Sequence, residues 1–400
     1  MKRDNGKNWQ TAVGLLLQTP NPEGNVGVPV IVWGMPGHAK TALTRLIAKS
    51  LGKELTTVIG ASKEPGDFEI SRWNPDTGTY GVHAPQWWLE TIAKGENGAL
   101  FLDEMSCAAP SVQAILLDLI HSRQLGGKVG TKTAVVGAAN PTDVAAGGWE
   151  PVLPTLNRTL HLNAGRMSNK GFAAYCSREA MGESHEEALD IPVLDLDTWN
   201  ACRGEALVIA ESFALAKGDL FDIDERSIIP AEEPSYPTPR SFMLGIHAYA
   251  AAQAVGRPDL ADELMAAAVG TGVATQYATH KRMLDLPNAA EVLDGKIPWE
   301  PNPNRIDRVK ATMASVMREA VSRKTHEAVA AGYEIIQRCH TMPDIAFQMY
   351  GALRKHSMAK GWAKNGMDDK VPAFRALTGP NGVVARQAEA IEAIRKGTRK

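Results

Sequence analysis

The sequence predicts an α/β fold in which a parallel sheet is covered by helices and is followed by an all-helical region. Short apolar, β-branched runs alternate with amphipathic segments up to about residue 165, which is typical of buried parallel strands alternating with helices. From about residue 166 the strand pattern fades while helical periodicity continues. The chain of 400 residues, 44% apolar and 22% charged, is long enough for two or three globular domains.

The elements of the α/β part follow one another with clear turn signals. In chain order the predicted elements are a helix over 8–18, a loop over Thr19–Gly27, a strand over Val28–Trp33, a helix over Thr41–Leu51, a strand over Gly98–Leu102, a helix over Ser111–Ser122, a hairpin turn over Leu125–Val129 and a strand over Thr133–Ala139. Parallel strands of this kind bind ligands at their carboxyl ends.

The rest of the chain is predicted as helices joined by loops. The helical segments are Trp199–Lys217, Arg240–Val255, Asp259–Ala268, Arg305–Arg323 and those near 324–340, 343–360 and 383–396. The four prolines of Pro287–Pro303 indicate a linker. We therefore expect an α/β domain over 1–165, a helical domain over 166–286, and a linker with a helical C-terminal extension over 287–400.

Composition narrows the classes of function. The net charge of −2 gives no global argument for nucleic acid or an anionic membrane. The four cysteines form no C-x-x-C pair and the ten histidines form no H-E-x-x-H, which favours reduced thiols over a disulfide framework or a zinc site. No run approaches the ~20 apolar residues that span a bilayer. We expect a cytoplasmic protein with no membrane partner.

Residues 34–41, GMPGHAKT, nearly match the phosphate-binding pattern G-x-x-x-x-G-K-[ST], with Ala39 in place of the last glycine. They lie between an apolar strand and an amphipathic helix, where backbone N–H groups converge on phosphates. Lys40 would reach the β- and γ-phosphates, and the Thr41 hydroxyl would bind Mg²⁺. A left-handed backbone at Ala39 would cost roughly 1–2 kcal/mol, which a large domain tolerates, so we still expect the loop to bind nucleotide. The residues expected to bind ATP are Gly34, Met35, Pro36, Gly37, His38, Ala39, Lys40, Thr41, Ala42 and Asp103.

An acidic pair follows the second buried strand. Asp103 ends the run ALFLD, where a carboxylate can hold Mg²⁺, so that Thr41 and Asp103 are the candidate metal-binding residues. Glu104 is next to it and can act as the general base that polarises the attacking water. An exposed strand-end Asp-Glu pair is common, but one downstream of a phosphate loop favours catalysis.

Three further polar residues are candidates for catalysis. Asn140 ends the third strand before Pro141 and could orient the lytic water, or it could be a turn residue only. Arg158, in LPTLNRTLHL, could reach the γ-phosphate of a neighbouring subunit. Arg240 follows the cap Thr238 and Pro239 in the first turn of a helix, where a cation is unfavourable unless a phosphate binds nearby, so that it is a candidate phosphate sensor from the helical domain. For both arginines an ordinary surface role remains open.

In this order, these motifs resemble the MoxR-like branch of the AAA+ ATPases, which carries G-x-P-G-x-A-K-T with Ala at the same point. The resemblance continues through Leu102–Glu104, Asn140–Pro141, Asn157–Arg158 and Pro239–Arg240, and covers residues 8–280. It implies an AAA+ αβα sandwich with a parallel sheet, an all-α lid, and hydrolysis of Mg²⁺-ATP. One departure is MSCAAP after Glu104, where the commoner sequence contains an arginine.

The resemblance also implies an assembly. It implies a homo-hexamer that acts as a chaperone or remodelling machine, often on a partner with a von Willebrand factor A metal-ion-dependent adhesion site. It further implies a hairpin at Gln124–Thr133 and an insertion at Pro65–Trp88, elements that face the central pore in related assemblies. Within the insertion, the pair Trp87–Trp88 is expected to anchor the core.

Two other functions remain open. One is a nucleic-acid translocating ATPase with Lys128 and Lys132 as contacts, against which the near-neutral charge weighs. The other is a non-hydrolysing scaffold whose geometry is gated by nucleotide. A small-molecule kinase is disfavoured because the Asp-Glu pair, the Asn and the two arginines suit attack by water.

Overall fold

The computed structural model describes residues 8–141, 153–166, 168–182, 189–222 and 234–397. The chain divides into two compact units. The α/β unit comprises residues 1–194 and 219–275, and the C-terminal unit comprises residues 195–218 and 276–400. Within the described residues, no helix is long and apolar enough to cross a membrane.

A five-stranded parallel sheet forms the centre of the α/β unit. Its strands are β1 (Val30–Trp33), β2 (Glu54–Ile59), β5 (Gly98–Asp103), β8 (Ala134–Ala139) and β9 (Leu160–Asn163). They lie side by side in the order β2-β5-β8-β1-β9. The predicted strands β1, β5 and β8 are the three central ones, and nearly all of their residues are buried. An α/β sandwich with a parallel sheet is therefore confirmed.

Helices cover the sheet and begin or end within two residues of the predicted positions where a prediction existed. The helices of this unit before residue 194 are α1 (Trp9–Leu16), α2 (Lys40–Ser50), α3 (Gln86–Ala93), α4 (Pro110–Ser122), α5 (Leu153–Leu156) and α6 (Asn169–Met181). Leu102, Val112, Leu116 and Val135 belong to one buried cluster, which shows that α4 packs on the sheet. The three predicted helices, α1, α2 and α4, each bury apolar side chains against the unit, whereas α6, which was not predicted, buries no residue.

Two antiparallel hairpins project from the α/β unit. The first hairpin pairs β3 (Ile70–Asn74) with β4 (Thr79–His83), and the second pairs β6 (Gln124–Leu125) with β7 (Lys128–Val129). The turn of the second hairpin contacts the base of the first, because the Gly126 N–H donates to Glu69 Oε1 at 3.2 Å. Trp88 is fully buried and its Nε1 donates to the Lys128 carbonyl at 2.9 Å, as expected of a core anchor.

The division of the helical region differs from the predicted boundaries of 165 and 286. Helices α8 (Pro239–Ala254) and α9 (Pro258–Val269) belong to the α/β unit, whereas α7 (Leu196–Ala216) belongs to the C-terminal unit. The remaining helices are α10 (Thr271–Met283), α11 (Ala289–Leu293), α12 (Ile306–Ser322), α13 (His326–Arg338), α14 (Pro343–Ala359), α15 (Pro372–Thr378) and α16 (Val383–Gly397). Helix α7 belongs to the C-terminal unit because it packs on α12. An ion pair joins the two helices, with Arg318 Nε of α12 lying 2.6 Å from Glu205 Oε2 of α7.

The expected linker over Pro287–Pro303 is wrong in its first part, which forms helix α11. The Asn288 side chain caps this helix by accepting the N–H groups of Ala290 and Glu291. Val292 and Leu293 are buried in the core of the C-terminal unit. The prolines lie outside this helix and do not interrupt it. Counting the prolines of the segment therefore led to the wrong prediction that all of it is a linker.

Candidate functional site

The loop between β1 and α2 has the backbone that a phosphate cradle needs. Gly37 has φ +77°, and no atom of the described part of the chain lies within 4 Å of the position of a Cβ, so these surroundings leave room for a ligand. Ala39 is left-handed, with φ 58° and ψ 20°, and forms the N-cap of α2. An alanine therefore adopts the conformation that usually favours glycine, at a cost of roughly 1–2 kcal/mol. Backbone strain of this kind persists where the surrounding structure enforces it.

The Lys40 ammonium is held inside the loop. Its Nζ donates to the carbonyls of Gly34 at 2.6 Å and Met35 at 3.0 Å, and to Asn140 Oδ1 at 2.9 Å. Burial lowers the pKa of Lys40, and the charges of Asp103 and Glu104 oppose that shift. Three neutral acceptors thus position a cation that has no direct carboxylate partner among the residues that the structure describes, which leaves its charge available to a phosphate.

The two candidate metal-binding residues lie in direct contact. Thr41 Oγ1 donates to Asp103 Oδ2 at 2.6 Å, joining the first turn of α2 to the end of β5. A hydroxyl and a carboxylate are the hard oxygen ligands that Mg²⁺ prefers. This donor set fits a magnesium ion held with a nucleotide.

Glu104 leaves the end of β5 in a strained conformation. Its φ is 54° and its ψ 38°, and its N–H donates to Asp103 Oδ1 at 2.9 Å. The side chain is exposed, next to the contact between Thr41 and Asp103. A non-glycine residue with positive φ at a strand end is an outlier of the kind found at active sites. The turn projects the carboxylate beyond the sheet edge, where a general base is needed.

Asn140 is fixed through both its backbone and its side chain. Its N–H donates to Ser106 Oγ at 3.0 Å, and its Oδ1 accepts from Lys40. Ser106 is buried and lies in the MSC segment that follows Glu104. Sequence reasoning noticed this segment only for a missing arginine and missed the serine. The available signal was a polar residue two positions after Glu104, the second acid of the strand-end pair.

Arg158 and Arg240 lie together, but away from the loop. Arg158 precedes β9, and the Leu160 N–H donates to the carbonyl of Pro29, just before β1. The loop begins after the other end of β1, about 16 Å away at 3.3 Å per residue. Arg158 and Arg240 line one small cleft with Glu23 and His121. Burial and the charge of Arg240 lower the pKa of Arg158, whereas Asp118 opposes that shift.

The predicted residues therefore form two groups. Lys40, Thr41, Asp103, Glu104 and Asn140 meet at the carboxyl ends of β1, β5 and β8, with the loop residues Gly34, Met35, Pro36, Gly37, His38, Ala39 and Ala42 beside them. Arg158 and Arg240 form the second group at the amino ends of β1 and β9. The first group alone offers backbone N–H groups, a buried ammonium and oxygen ligands, a set that fits a nucleoside triphosphate with its metal.

Comparison with known proteins agrees with this geometry. Residues 29–159 match the AAA domain (dynein-related subfamily), a segment that begins just before β1 and ends just before β9. No curated protein matches the chain significantly.

Solved structures also match. One is a candidate ATPase from Cytophaga hutchinsonii, solved at 2.00 Å, which covers 66% of this chain and 81% of its own at 12% identity. Its TM-score of 0.42 is too low to support a conclusion about function. The family match coincides with the segment that carries the loop, the strand-end acids and Asn140. Residues 29–159 thus form an AAA+ domain, and the protein is a P-loop ATPase that hydrolyses ATP.

Proposed function

We propose that the protein is a ring-forming, MoxR-like AAA+ machine that uses Mg²⁺-ATP to remodel a protein partner. The observation that carries the proposal is the separation of the two groups of polar residues within one unit. Lys40 and its neighbours can bind a nucleotide at the carboxyl ends of the strands, but Arg158 and Arg240 cannot reach it from the amino ends. A ring of copies would bring the arginines of one subunit to the nucleotide of the next.

Each residue of the loop group has a role in this proposal. The loop N–H groups and Lys40 bind the phosphates, and Thr41 with Asp103 would hold Mg²⁺. When bound, the metal neutralises charge on the β- and γ-phosphate oxygens. Glu104 takes a proton from the attacking water, and Asn140 orients that water.

The arginines would complete the site across the subunit boundary. Two guanidiniums in one cleft repel each other, and a triphosphate would relieve that repulsion. Such arginines accelerate phosphoryl transfer by about 10³ to 10⁵. Hydrolysis then removes the anion that the arginines bind, so that the contact between neighbouring subunits changes with each turnover. The hexameric state is proposed on the resemblance to the MoxR-like branch.

A protein partner is supported by the first hairpin. Trp73 and Tyr80 pair edge to face across it, with ring centroids 5.2 Å apart, and are 55% and 72% exposed. Val82 lies on the same face and is 53% exposed. Exposed apolar clusters of this kind mark interaction surfaces. A partner with a von Willebrand factor A domain, and a cytoplasmic location, are proposed from the resemblance and the composition.

Replacing Glu104 by Gln tests the proposal. We expect turnover to fall by at least about a hundredfold while ATP binding persists, because the amide keeps the shape but cannot take a proton. The Glu90→Gln variant, on an exposed position of α3, is the matched control and should keep full turnover. Unchanged turnover in Glu104→Gln would exclude this role. Wild type that binds ATP without turnover would instead support the scaffold.

A nucleic-acid translocase is the second candidate, and one observation favours it. Residues 276–400 contain 21 Lys and Arg but only 13 Asp and Glu, whereas the whole chain carries a net charge of −2. A basic region of this kind can bind phosphates of a polynucleotide. ATP turnover measured with single-stranded and duplex DNA at rising salt decides between the two. Stimulation that falls steeply with salt would favour the translocase.

A further inference from the structure

We propose that Asn157 is a positioning residue that fixes Arg158 and Arg240 as one pair, so that both guanidiniums meet the same triphosphate. This inference rests on the proposed function, in which the arginines act on the nucleotide of a neighbouring copy. The two segments that carry the arginines are far apart in sequence and contact each other.

A single hydrogen bond joins the two segments. Thr238 Oγ1 donates to Asn157 Oδ1 at 2.5 Å. The same hydroxyl caps helix α8 by accepting the N–H of Ser241 at 3.1 Å, and Ser241 Oγ accepts the N–H of Thr238 at 2.9 Å. The Thr238 hydroxyl is therefore used both as a donor and as an acceptor. Because Asn157 precedes Arg158 and Thr238 starts the turn that carries Arg240, this bond sets the spacing of the two arginines.

The electrostatics of the cleft show why Arg158 and Arg240 need an uncharged contact to hold them near each other. The charge of Arg240 disfavours the charged form of Arg158, so that the two side chains repel each other. Arg158 NH1 donates to the Pro154 carbonyl at 3.3 Å, whereas its Nε is buried with no partner among the described residues. An uncharged bond between Asn157 and Thr238 can hold the arginines close without neutralising either one. Their charges stay available for an anion.

Loss of the bond should reduce the rate and leave nucleotide affinity nearly unchanged. The phosphates are bound by the loop group of the same subunit, at the other end of the sheet. A misplaced arginine pair loses contacts made in the transition state, and a shift of about 1 Å costs up to about a hundredfold. We expect Asn157→Ala to lower kcat by about tenfold to a hundredfold with KM changed less than about threefold. A folding defect would instead lower the active fraction and the melting temperature together.

Variants of Thr238 separate the bond from the helix cap. Thr238→Ser keeps the hydroxyl and should keep most of the turnover, whereas Thr238→Val removes both the bond and the cap. In a double-mutant cycle, Asn157→Ala should add little to Thr238→Val, because both remove one bond. Asn365→Ala, at an exposed position of the C-terminal unit, is the matched control and should behave as wild type.

ATP turnover in mixtures of two variants tests the positioning role, because a variant that is merely misfolded would not restore turnover in such a mixture. Asn157→Ala keeps its own loop but has a displaced arginine pair, and Lys40→Ala has lost the loop lysine but keeps the pair. Because each repairs the other at a shared boundary, their mixture should exceed the summed turnover of the two variants severalfold. The same mixture with Arg158→Ala in place of Asn157→Ala tests whether Arg158 itself acts on the nucleotide of the neighbouring subunit.

The outcomes distinguish the inference from the proposed function. Gains in both mixtures, with the kcat loss in Asn157→Ala, support the inference. A gain with Arg158→Ala but none with Asn157→Ala, or full kcat in Asn157→Ala, would overturn the inference and leave the proposed function standing. No gain in either mixture would overturn both.

Discussion

The Thr41 hydroxyl donates a 2.6 Å hydrogen bond to Asp103 Oδ2, so that two candidate metal-binding oxygens from distant segments touch at the carboxyl edge of the sheet. Thr41 lies in the first turn of α2, the helix that follows β1, and Asp103 ends β5, which lies two strands away from β1 in the sheet. The contact exists because parallel strands bring their carboxyl ends to one edge. It is also the contact that a magnesium ion would use.

Removing either ligand should make nucleotide binding insensitive to the metal. We expect wild type to bind ATP much more tightly with Mg²⁺ than with a chelator present. In Thr41→Ala and Asp103→Asn that difference should shrink at least tenfold, because each variant loses one of the oxygens that hold the ion. Titration of a fluorescent ATP analogue with and without Mg²⁺ measures it. The Thr57→Ala variant, in β2, serves as the control. Equal metal dependence in all four proteins would contradict the assignment.

Ala39→Gly should stabilise the protein slightly. Relief of left-handed strain is worth roughly 1–2 kcal/mol, and the greater chain entropy of glycine removes roughly 0.5–1 kcal/mol of this gain. We expect the free energy of unfolding to rise by up to about 1.5 kcal/mol, with turnover nearly unchanged. Ala352→Gly, at an exposed position of α14, is the matched control and should destabilise the protein by about 1 kcal/mol. Denaturant unfolding of the three proteins checks both signs.

Ser106→Ala should lower turnover through Asn140. The buried hydroxyl accepts the Asn140 N–H at 3.0 Å, and its loss leaves that donor unpaired and the side chain less fixed. We expect kcat to fall about tenfold, while ATP affinity, set by the loop and Lys40, changes little. Steady-state kinetics with direct ATP binding separates the two quantities. Ser106→Thr, which restores an acceptor, should recover part of the rate, and equal losses in both variants would argue against the hydrogen bond.

The free energy of unfolding should depend on pH through His161. Its Nδ1 accepts from Trp33 Nε1 at 3.0 Å and its Nε2 donates to the Leu156 carbonyl at 2.9 Å, a neutral tautomer. Burial lowers the pKa of His161 to about 4, below the ordinary value of 6.5. The unfolded chain therefore binds the proton first. The stability from the neutral ring is complete above pH 6.5 and is lost as pH falls towards 4, by up to roughly 3 kcal/mol.

His161→Gln isolates that contribution, because glutamine can replace the hydrogen bonds but does not titrate. Denaturant unfolding between pH 7.5 and 4 should show a shallower loss of stability in the variant than in wild type. The two profiles should converge towards the acidic end. Parallel profiles over the whole range would show that His161 does not titrate in this way.

The sequence predicted the central strands well because each is a continuous apolar run, and it predicted the loop because glycine, lysine and threonine occur at fixed spacing. It did not reveal β2, since Glu54–Ile59 is a half-exposed edge strand whose pattern resembles a loop. It also assigned α7 to the wrong neighbours, because helical periodicity shows which face is buried but not which helix covers it. The bond between Asn157 and Thr238 spans 81 residues and has no local pattern.

The central claim is that one ATP site is completed by two copies of the chain. A structure of the assembled protein with Mg²⁺ and a non-hydrolysable ATP analogue tests it most directly. We expect the γ-phosphate to contact Lys40 and Asn140 of one copy and Arg158 and Arg240 of the next. Both arginines lying remote from every triphosphate, or Lys40 lying outside the phosphate site, would contradict it.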